Sequence, residues 1–451
     1  MFVLRRRPGL DALVIGLLAA AATLVVGCTG ELAMHGPGER DAGPDFDAGS
    51  GRPDAGAGFD AGPDFDAAGT DAGAGTDAGG GGGLDAGVEP RLDAGPCAAG
   101  ALAASITAVT APDVHPGGAL FASPTDAGGA VLAWVEGGSV HVRRIDGTGA
   151  SAGPDITVTS SELHGLAAAP DAYAVLVARA PDILALVVVG LDGSMIADRT
   201  LIGGVSHDVT GNEWFGPLIR HGRLAWTGTT WAAYYPLQRL WPDGIQHYGD
   251  QLRTLMRDGT PVETLWGWGC SHSVDTRLAS NAGGLGAVCT SDCFPDKGVF
   301  FMHSTLVYSD PSGDCGGRVD THLGGVAPVA GGFWVAFSTP AARASRDVAL
   351  VHVSDARTVG TVQWLSSAAG AEDDVHVAPE PDGGALAAWT EGGMGRIVRV
   401  SAAGAMMGAP ETIDASLVTD ATDFFAWPGG DVGWAVPGAS ARLVRLRAAC
   451  P

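Results

Sequence analysis

Basic side chains are scarce in this chain of 451 residues: 26 Lys and Arg stand against 50 Asp and Glu, a formal net charge of -24. A nucleic-acid binder needs a basic face to neutralise phosphate, so that class is excluded. Catalytic signatures are missing as well. The chain has no His-Glu-x-x-His, Gly-x-x-x-x-Gly-Lys-Ser/Thr loop, sialidase-type Ser-x-Asp-x-Gly-x-Thr-Trp box or EF-hand. Long helical patterns are absent too. The one long apolar run, Leu13 to Val26, covers about 14 residues, which is short for a bilayer span. What is present is uneven, because much of the Gly and of the acid lies before residue 97, so two different materials are joined end to end.

Arg5, Arg6 and Arg7 precede the apolar run, and the run ends in Val25-Val26-Gly27-Cys28. A positive segment, a short apolar core and a small residue before the cleavage point make 1–27 a secretory signal. The ending resembles the bacterial lipobox. That resemblance implies that Cys28 is diacylated and becomes the mature N-terminus, and that Thr29, in place of Asp, sends the protein to the outer membrane. Several acyl chains anchor firmly where one is marginal. The implied localisation is the cell envelope of a Gram-negative bacterium, facing the periplasm or the cell surface.

Residues 28–96 then read as a tether. Asp-Ala-Gly recurs at 41–43, 47–49, 54–56, 71–73, 77–79, 85–87 and 93–95, with few large apolar residues to offset the entropy of ordering. The segment is expected to be disordered, with a root-mean-square span of roughly 40 Å. Pro44-Asp45-Phe46-Asp47 and its copy at 63–66 lack the ligand spacing of a calcium loop. From 29 to 96 the chain has 14 acidic and 3 basic residues, a net of -11, so close to half of the charge belongs to the tether.

From Cys97 onward, Val, Leu, Ala and Trp occur in short runs punctuated by Gly pairs, which is strand and turn chemistry. The runs repeat. Gly129 to Trp134, Tyr173 to Ala178, Trp231 to Tyr235, Gly284 to Cys289, Gly332 to Phe337, Gly384 to Trp389 and Gly430 to Ala435 are seven copies of one buried strand, 44 to 58 residues apart. A second strand follows each, at Val140 to Gly147, Leu184 to Gly193, Leu252 to Gly259, Val299 to Gly313, Val348 to Asp355, Ile397 to Gly404 and Arg442 to Arg447. Such a period with about four short strands predicts an all-β, seven-bladed β-propeller over 97–451. Pro381-Asp382-Gly383-Gly384-Ala385-Leu386-Ala387-Ala388-Trp389 resembles the Pro-Asp-Gly repeat of bacterial TolB-like propellers. Two β-sandwiches or a solenoid are the competing folds.

The last repeat has room for three strands before Pro451, and Ser105 to Thr110 is a strand without a blade, so the N-terminal strand is expected to close the ring. That closure would set Cys97 beside Cys450 and predicts a disulfide, worth on the order of 5 kcal/mol in the loop-entropy model. Cys270, Cys289, Cys293 and Cys315 offer one Cys-x3-Cys and no second short pair, so two disulfides are preferred to zinc. Cys270 is expected to pair with Cys289 or Cys293, and Cys315 with the other. No metal or cofactor is assigned.

At the start of the innermost strands an acid-x-base triplet recurs, ending in His115, His164, Arg277, His322 and His376, with looser matches at 221–223 and 420–423. A ring of these side chains at the channel mouth could hold a metal or an anion. Alternatively they tie blade to blade, as the recurring Asp and His of WD-type propellers do. A second candidate contact is aromatic. Trp214, Trp226, Trp231, Trp241, Trp266 and Trp268, six of the 12 Trp, fall in the third repeat, where Trp241 and Tyr248 sit in a polar insertion and are expected to be exposed.

With no catalytic residue to name, the expected function is that of a monomeric, lipid-anchored binding or scaffold module with a protein or glycan ligand. The competing expectation is an extracytoplasmic propeller hydrolase or lyase acting on carbohydrate. An enzyme would bring two carboxylates or a His-metal cluster together in a deep funnel. A binder would hold those residues bonded between blades.

Overall fold

Glycine opens many of the buried strands because nothing larger fits there. A Cβ on Gly129 would lie 2.1 Å from the Ile145 carbonyl oxygen, and one on Gly384 would lie 2.2 Å from that of Val400. In each case the strand begins against the end of its neighbour, and the pair forms the middle of a four-stranded antiparallel sheet. Seven such sheets follow one another, and the protein is a seven-bladed β-propeller. The computed structural model describes residues 101–447 apart from 126–127, 217–221, 273–274, 313–314, 316–318, 341–344 and 420–422. All belong to the second of two compact units, Gly87–Pro451. Cys28, Cys97, Cys450, the signal 1–27 and the tether 28–96 lie outside the described residues.

A short helix, α1 (Ala101–Ser105), leads into β1 (Ile106–Ala111). Blade 1 is β2 (Leu120–Pro124), β3 (Ala130–Glu136), β4 (Ser139–Ile145) and β5 (Ile156–Val158). Blade 2 is β6 (Glu162–Ala169), β7 (Ala172–Ala180), β8 (Ile183–Gly190) and β9 (Met195–Ile202). Blade 3 has β10 (Glu213–Trp214) and β11 (Arg223–Trp226), both paired to β12 (Trp231–Leu240), then β13 (Gln246–Leu255) and β14 (Pro261–Trp266). Blade 4 is β15 (Thr276–Asn281), β16 (Gly284–Ser291), β17 (Gly298–Phe301) and β18 (Thr305–Ser309). Blade 5 is β19 (His322–Val329), β20 (Gly332–Thr339), β21 (Asp347–Ser354) and β22 (Gln363–Trp364). Blade 6 is β23 (Glu372–Pro379), β24 (Ala385–Glu391), β25 (Met394–Val400) and β26 (Glu411–Ile413). Blade 7 is β27 (Phe425–Ala426), β28 (Val432–Val436) and β29 (Ala441–Leu446), and its outer strand is β1. We letter the strands of a blade A to D outward from the axis.

The closure expected from the strand count is present. β1 pairs antiparallel with β29, from Ile106 opposite Leu446 to Ala111 opposite Ala441. Two blades depart from the expected strand count: blade 3 has five strands, β10 and β11 both pairing with β12, and in blade 4 the run from Val299 is two strands. The chain turns between β17 and β18 through Met302 and His303, both with positive φ.

Seven hydrophobic clusters hold the ring, one between each pair of neighbouring blades. Successive side chains of a strand point to opposite faces, so each B strand serves two clusters. Ala130, Leu132 and Trp134 of β3 pack toward blade 7, whereas Val131 and Ala133 pack toward blade 2. Both faces are therefore dry, which is why these strands read as unbroken apolar runs instead of alternating ones. Fully burying a Leu- or Val-sized side chain contributes about 1.5–3 kcal/mol, so these runs dominate stability.

Candidate binding site: the axis and the rim of blades 3 and 4

The A strands surround an axial cavity of about 320 Å³, walled by Phe121, Leu166, Leu224, Leu278 and Phe424 among others. Across it runs an ion pair. Asp423, just before β27 in blade 7, accepts from Arg223 Nε of blade 3 at 2.5 Å and lies 3.2 Å from Arg277 Nε of blade 4. In a seven-membered ring, blades 3 and 4 lie opposite blade 7, so three side chains close the axis. Burial pushes the Asp423 carboxyl up, but the two guanidinium groups overrule it and hold it below the ordinary carboxylate range. Among the described residues lining the cavity, Asp423 is the only carboxylate.

The five predicted channel-mouth residues have different surroundings. Arg277 is buried, donating to the Gly324 and Leu323 carbonyls of blade 5 and pairing with Asp275 and Asp423. His322 Nδ1 lies 2.9 Å from Asp373 Oδ1 in blade 6. Arg346 holds the other oxygen of Asp373 at 2.8 Å. Burial raises that carboxyl, and His322 and Arg346 bring it below its usual range. His376 is buried, stacked on Phe424 of blade 7, with Nε2 2.7 Å from the Thr419 carbonyl oxygen. His164 is buried edge-on against Phe215 of blade 3, and its Nε2 is 3.4 Å from Glu162. These four join one blade to the next. His115 does not stand with them: it is exposed, five residues before β2, with Nδ1 2.9 Å from the Ala439 carbonyl oxygen in the B–C turn of blade 7.

The second candidate patch lies on the rim that carries the B–C turns. β12 and β13 are each 10 residues long, and their hairpin overshoots the blade. Its tip is fixed by Asp243, which accepts from the Ile245 N–H at 2.8 Å and sits 3.1 Å from His247 Nε2. The crossing from β14 to β15 runs back beside this hairpin and lays Trp268 over Gly249, where a Cβ would come within 2.6 Å of the ring. Arg239 covers Trp268 at 5.1 Å, and Trp241 meets it edge-on at 5.6 Å. His247 lies 5.7 Å from Trp241, and His272 lies 5.7 Å from Tyr248. Trp241 is 37 % exposed and Tyr248 half-buried, whereas Trp231, Tyr234, Tyr235, Trp214 and Trp266 are core.

Two disulfides brace this rim. Cys270 pairs with Cys289, and Cys293 with Cys315, one of the two arrangements the sequence allowed. The first ties the crossing to β16. The second ties the loop that carries the exposed Phe294 to the next crossing. Beneath them Asp250 is fully buried, accepting from Trp266 Nε1 at 2.9 Å and the Cys270 N–H at 3.2 Å. Burial pushes its carboxyl up to about 7. Asp250, Cys270 and Cys289 are the one metal-capable trio among the described residues, and the two sulfurs are bonded to each other. What the rim offers is aromatic faces for stacking and imidazoles and carboxylates for hydroxyl groups.

No protein-family profile matches the chain, and no curated protein matches it. Among solved structures it is similar to the β-propeller domain of Cps50 (Swd1) from Myceliophteria thermophila, at 10 % identity and TM-score 0.43, covering 75 % of this chain and 99 % of that one. YCF48 bound to D1 peptide gives 12 %, 0.42, and 79 % and 98 %. The α-L-arabinanase of Penicillium chrysogenum complexed with arabinobiose gives 12 %, 0.40, and 76 % and 98 %. These likenesses concern the fold, which hosts binding modules and hydrolases alike.

Proposed function

We propose that the protein is a lipid-anchored, monomeric envelope protein whose propeller head is a binding module, with its ligand-contacting surface on the rim of blades 3 and 4. The observation that carries this is the Asp423 pair with Arg223 and Arg277 across the axis. It engages the only carboxylate among the described residues lining the axial cavity, and the neighbouring mouth residues are bonded between blades. On the rim, by contrast, Trp241 is 37 % exposed, with Trp268 and His247 beside it. Anchoring enters from the lipobox resemblance at Cys28. β1 starts at Ile106, at the end of the blades that carries the A–B turns, so a tether arriving there leaves the aromatic rim pointing away from the membrane.

The test is a glycan and metal binding screen on the mature chain, repeated with Trp241→Ala and Tyr248→Ala. A glycan or protein ligand whose affinity falls about tenfold or more in either variant supports the rim. Binding unaffected by both, or turnover of a carbohydrate, would favour the axis and the hydrolase instead.

A further inference from the structure

Blades 5 and 6 enclose a groove of about 470 Å³ whose lining includes Trp364, Leu365, Ser367, Trp389, Arg396 and Met406. Trp389, in β24, is fully buried, yet its indole N–H has no hydrogen-bond partner. Among the described residues it is the only tryptophan with a buried, unsatisfied N–H. Buried donors are nearly always paired, so this one needs an explanation.

Blade 1 provides the comparison. There Trp134 occupies the same place in a Trp-x-Glu sequence, and its Nε1 donates to Glu136 Oε2 at 2.9 Å. The residue opposite Trp134 is His141, which turns to Asp155 and leaves Glu136 alone. Opposite Trp389 stands Arg396, which donates to Glu391 Oε2 at 3.1 Å and withdraws the corresponding carboxylate from the indole. The acceptor that blade 1 builds in is missing in blade 6, at a site that lines a groove.

We propose that this groove binds a short saccharide carrying an N-acetyl group, whose carbonyl oxygen takes the place of the missing acceptor once the side chains that close off the buried indole N–H draw back. An indole N–H only donates. A hydroxyl in that place would bury its own hydrogen beside the indole, whereas an amide carbonyl brings acceptor capacity alone. Trp364, 40 % exposed, offers a ring face for the C–H side of a pyranose. Leu365, Met406 and Pro410 give the acetyl methyl an apolar bed, and Ser367 and Glu391 face the ring hydroxyls. The groove volume admits one or two sugar rings.

The experiment titrates the full mature chain with N,N′-diacetylchitobiose and with cellobiose, which has the same linkage and lacks the acetamido groups, using calorimetry and the NMR signal of the Trp389 indole N–H. The expected result is saturable binding of diacetylchitobiose with a shift of that signal, and about five- to tenfold weaker binding of cellobiose. Trp389→Phe removes the N–H and should abolish the difference between the two sugars. Trp364→Ala should weaken both. Equal affinities, no saturable binding of diacetylchitobiose, or an unmoved indole signal in the unsubstituted protein would each overturn the proposal, and the last two do not depend on any variant folding. Because Trp241 and Tyr248 lie on another pair of blades, their variants should leave this binding unchanged, so the rim and the groove fail separately.

Discussion

Asp423 and Arg223, 200 residues apart in sequence, meet at 2.5 Å across the propeller axis. Arg223 and Arg277 are both buried, and Arg277 has a second carboxylate in Asp275, so the Arg223 charge leans most on Asp423. Asp423→Asn should leave the Arg223 guanidinium under-compensated and destabilise the head by about 1–3 kcal/mol, the low end for a buried pair because the Asp423 side chain is 37 % exposed. Its carboxyl is held below the ordinary range, so this contribution is present above about pH 4 and lost as pH falls through the folded value. Urea unfolding at neutral pH checks the first point, and the loss of acid sensitivity in the variant checks the second.

Asp250 gives the opposite pH dependence. Its folded value is raised to about 7. A raised acid stabilises the fold relatively below its unfolded value and costs stability as pH climbs to the folded one. Between about pH 4 and pH 7 this group should lower stability by a few kcal/mol, with no further change above. Melting temperatures across that window should therefore show a decline that Asp250→Asn flattens. An identical slope in both proteins would assign the carboxyl an ordinary pKa.

Ring closure makes a covalent prediction. The pairing of Ile106 with Leu446 brings the two ends of the propeller together, and we expect Cys97 and Cys450 to be joined. A non-reducing digest should yield their cross-linked peptide in mass spectrometry. Free thiols at both positions would sink the clasp while leaving the β1–β29 pairing intact.

The seat of Trp268 can be tested without touching the ligand-contacting rings. Gly249→Val would drive a side chain into the indole, which a Cβ alone already approaches to 2.6 Å. The aromatic rim should splay, with a large loss of ligand affinity, and a local cost of about 1–3 kcal/mol. Far-UV spectra and the Cys270–Cys289 bond should be unchanged. Retained affinity would mean that Trp268 does not organise the rim.

The seven B strands and the closing strand were legible because both faces of each blade are dry and the chain between Gly129 and Ala435 repeats the same apolar run. Blade 4 misled because its C–D turn, at Met302 and His303, uses positive φ without Gly, Asn or Asp to announce it. The exposed Trp241 could be placed from its polar neighbours, whereas Tyr248 in the same insertion is half-buried against expectation, and Trp268, His247 and His272 could not be placed. They join the rim only because a crossing from another part of the chain folds back beside the hairpin. The triplet and its looser matches put Arg223, Arg277 and Asp423 at the channel mouth, but not their contact, since Asp423 and the two arginines become neighbours only when seven blades close a circle. His115 matched the triplet in sequence and not in place, as its spacing to the following strand differs from that of the others.

The pairing of β1 with β29 also has a mechanical side. Any load arriving from residues before Ala101 meets α1 first, where Leu102 is buried between blades 6 and 7 and the Ala103 N–H donates to Glu411 at 2.9 Å, and then the strand that completes the circle. Antiparallel ladder bonds run perpendicular to the strands, so a pull along β1 loads the contacts from Ile106 to Ala111 together in shear and does not open them one at a time. The same six residues thus serve as a buckle, and a pull that frees α1 tests the seam of the ring next.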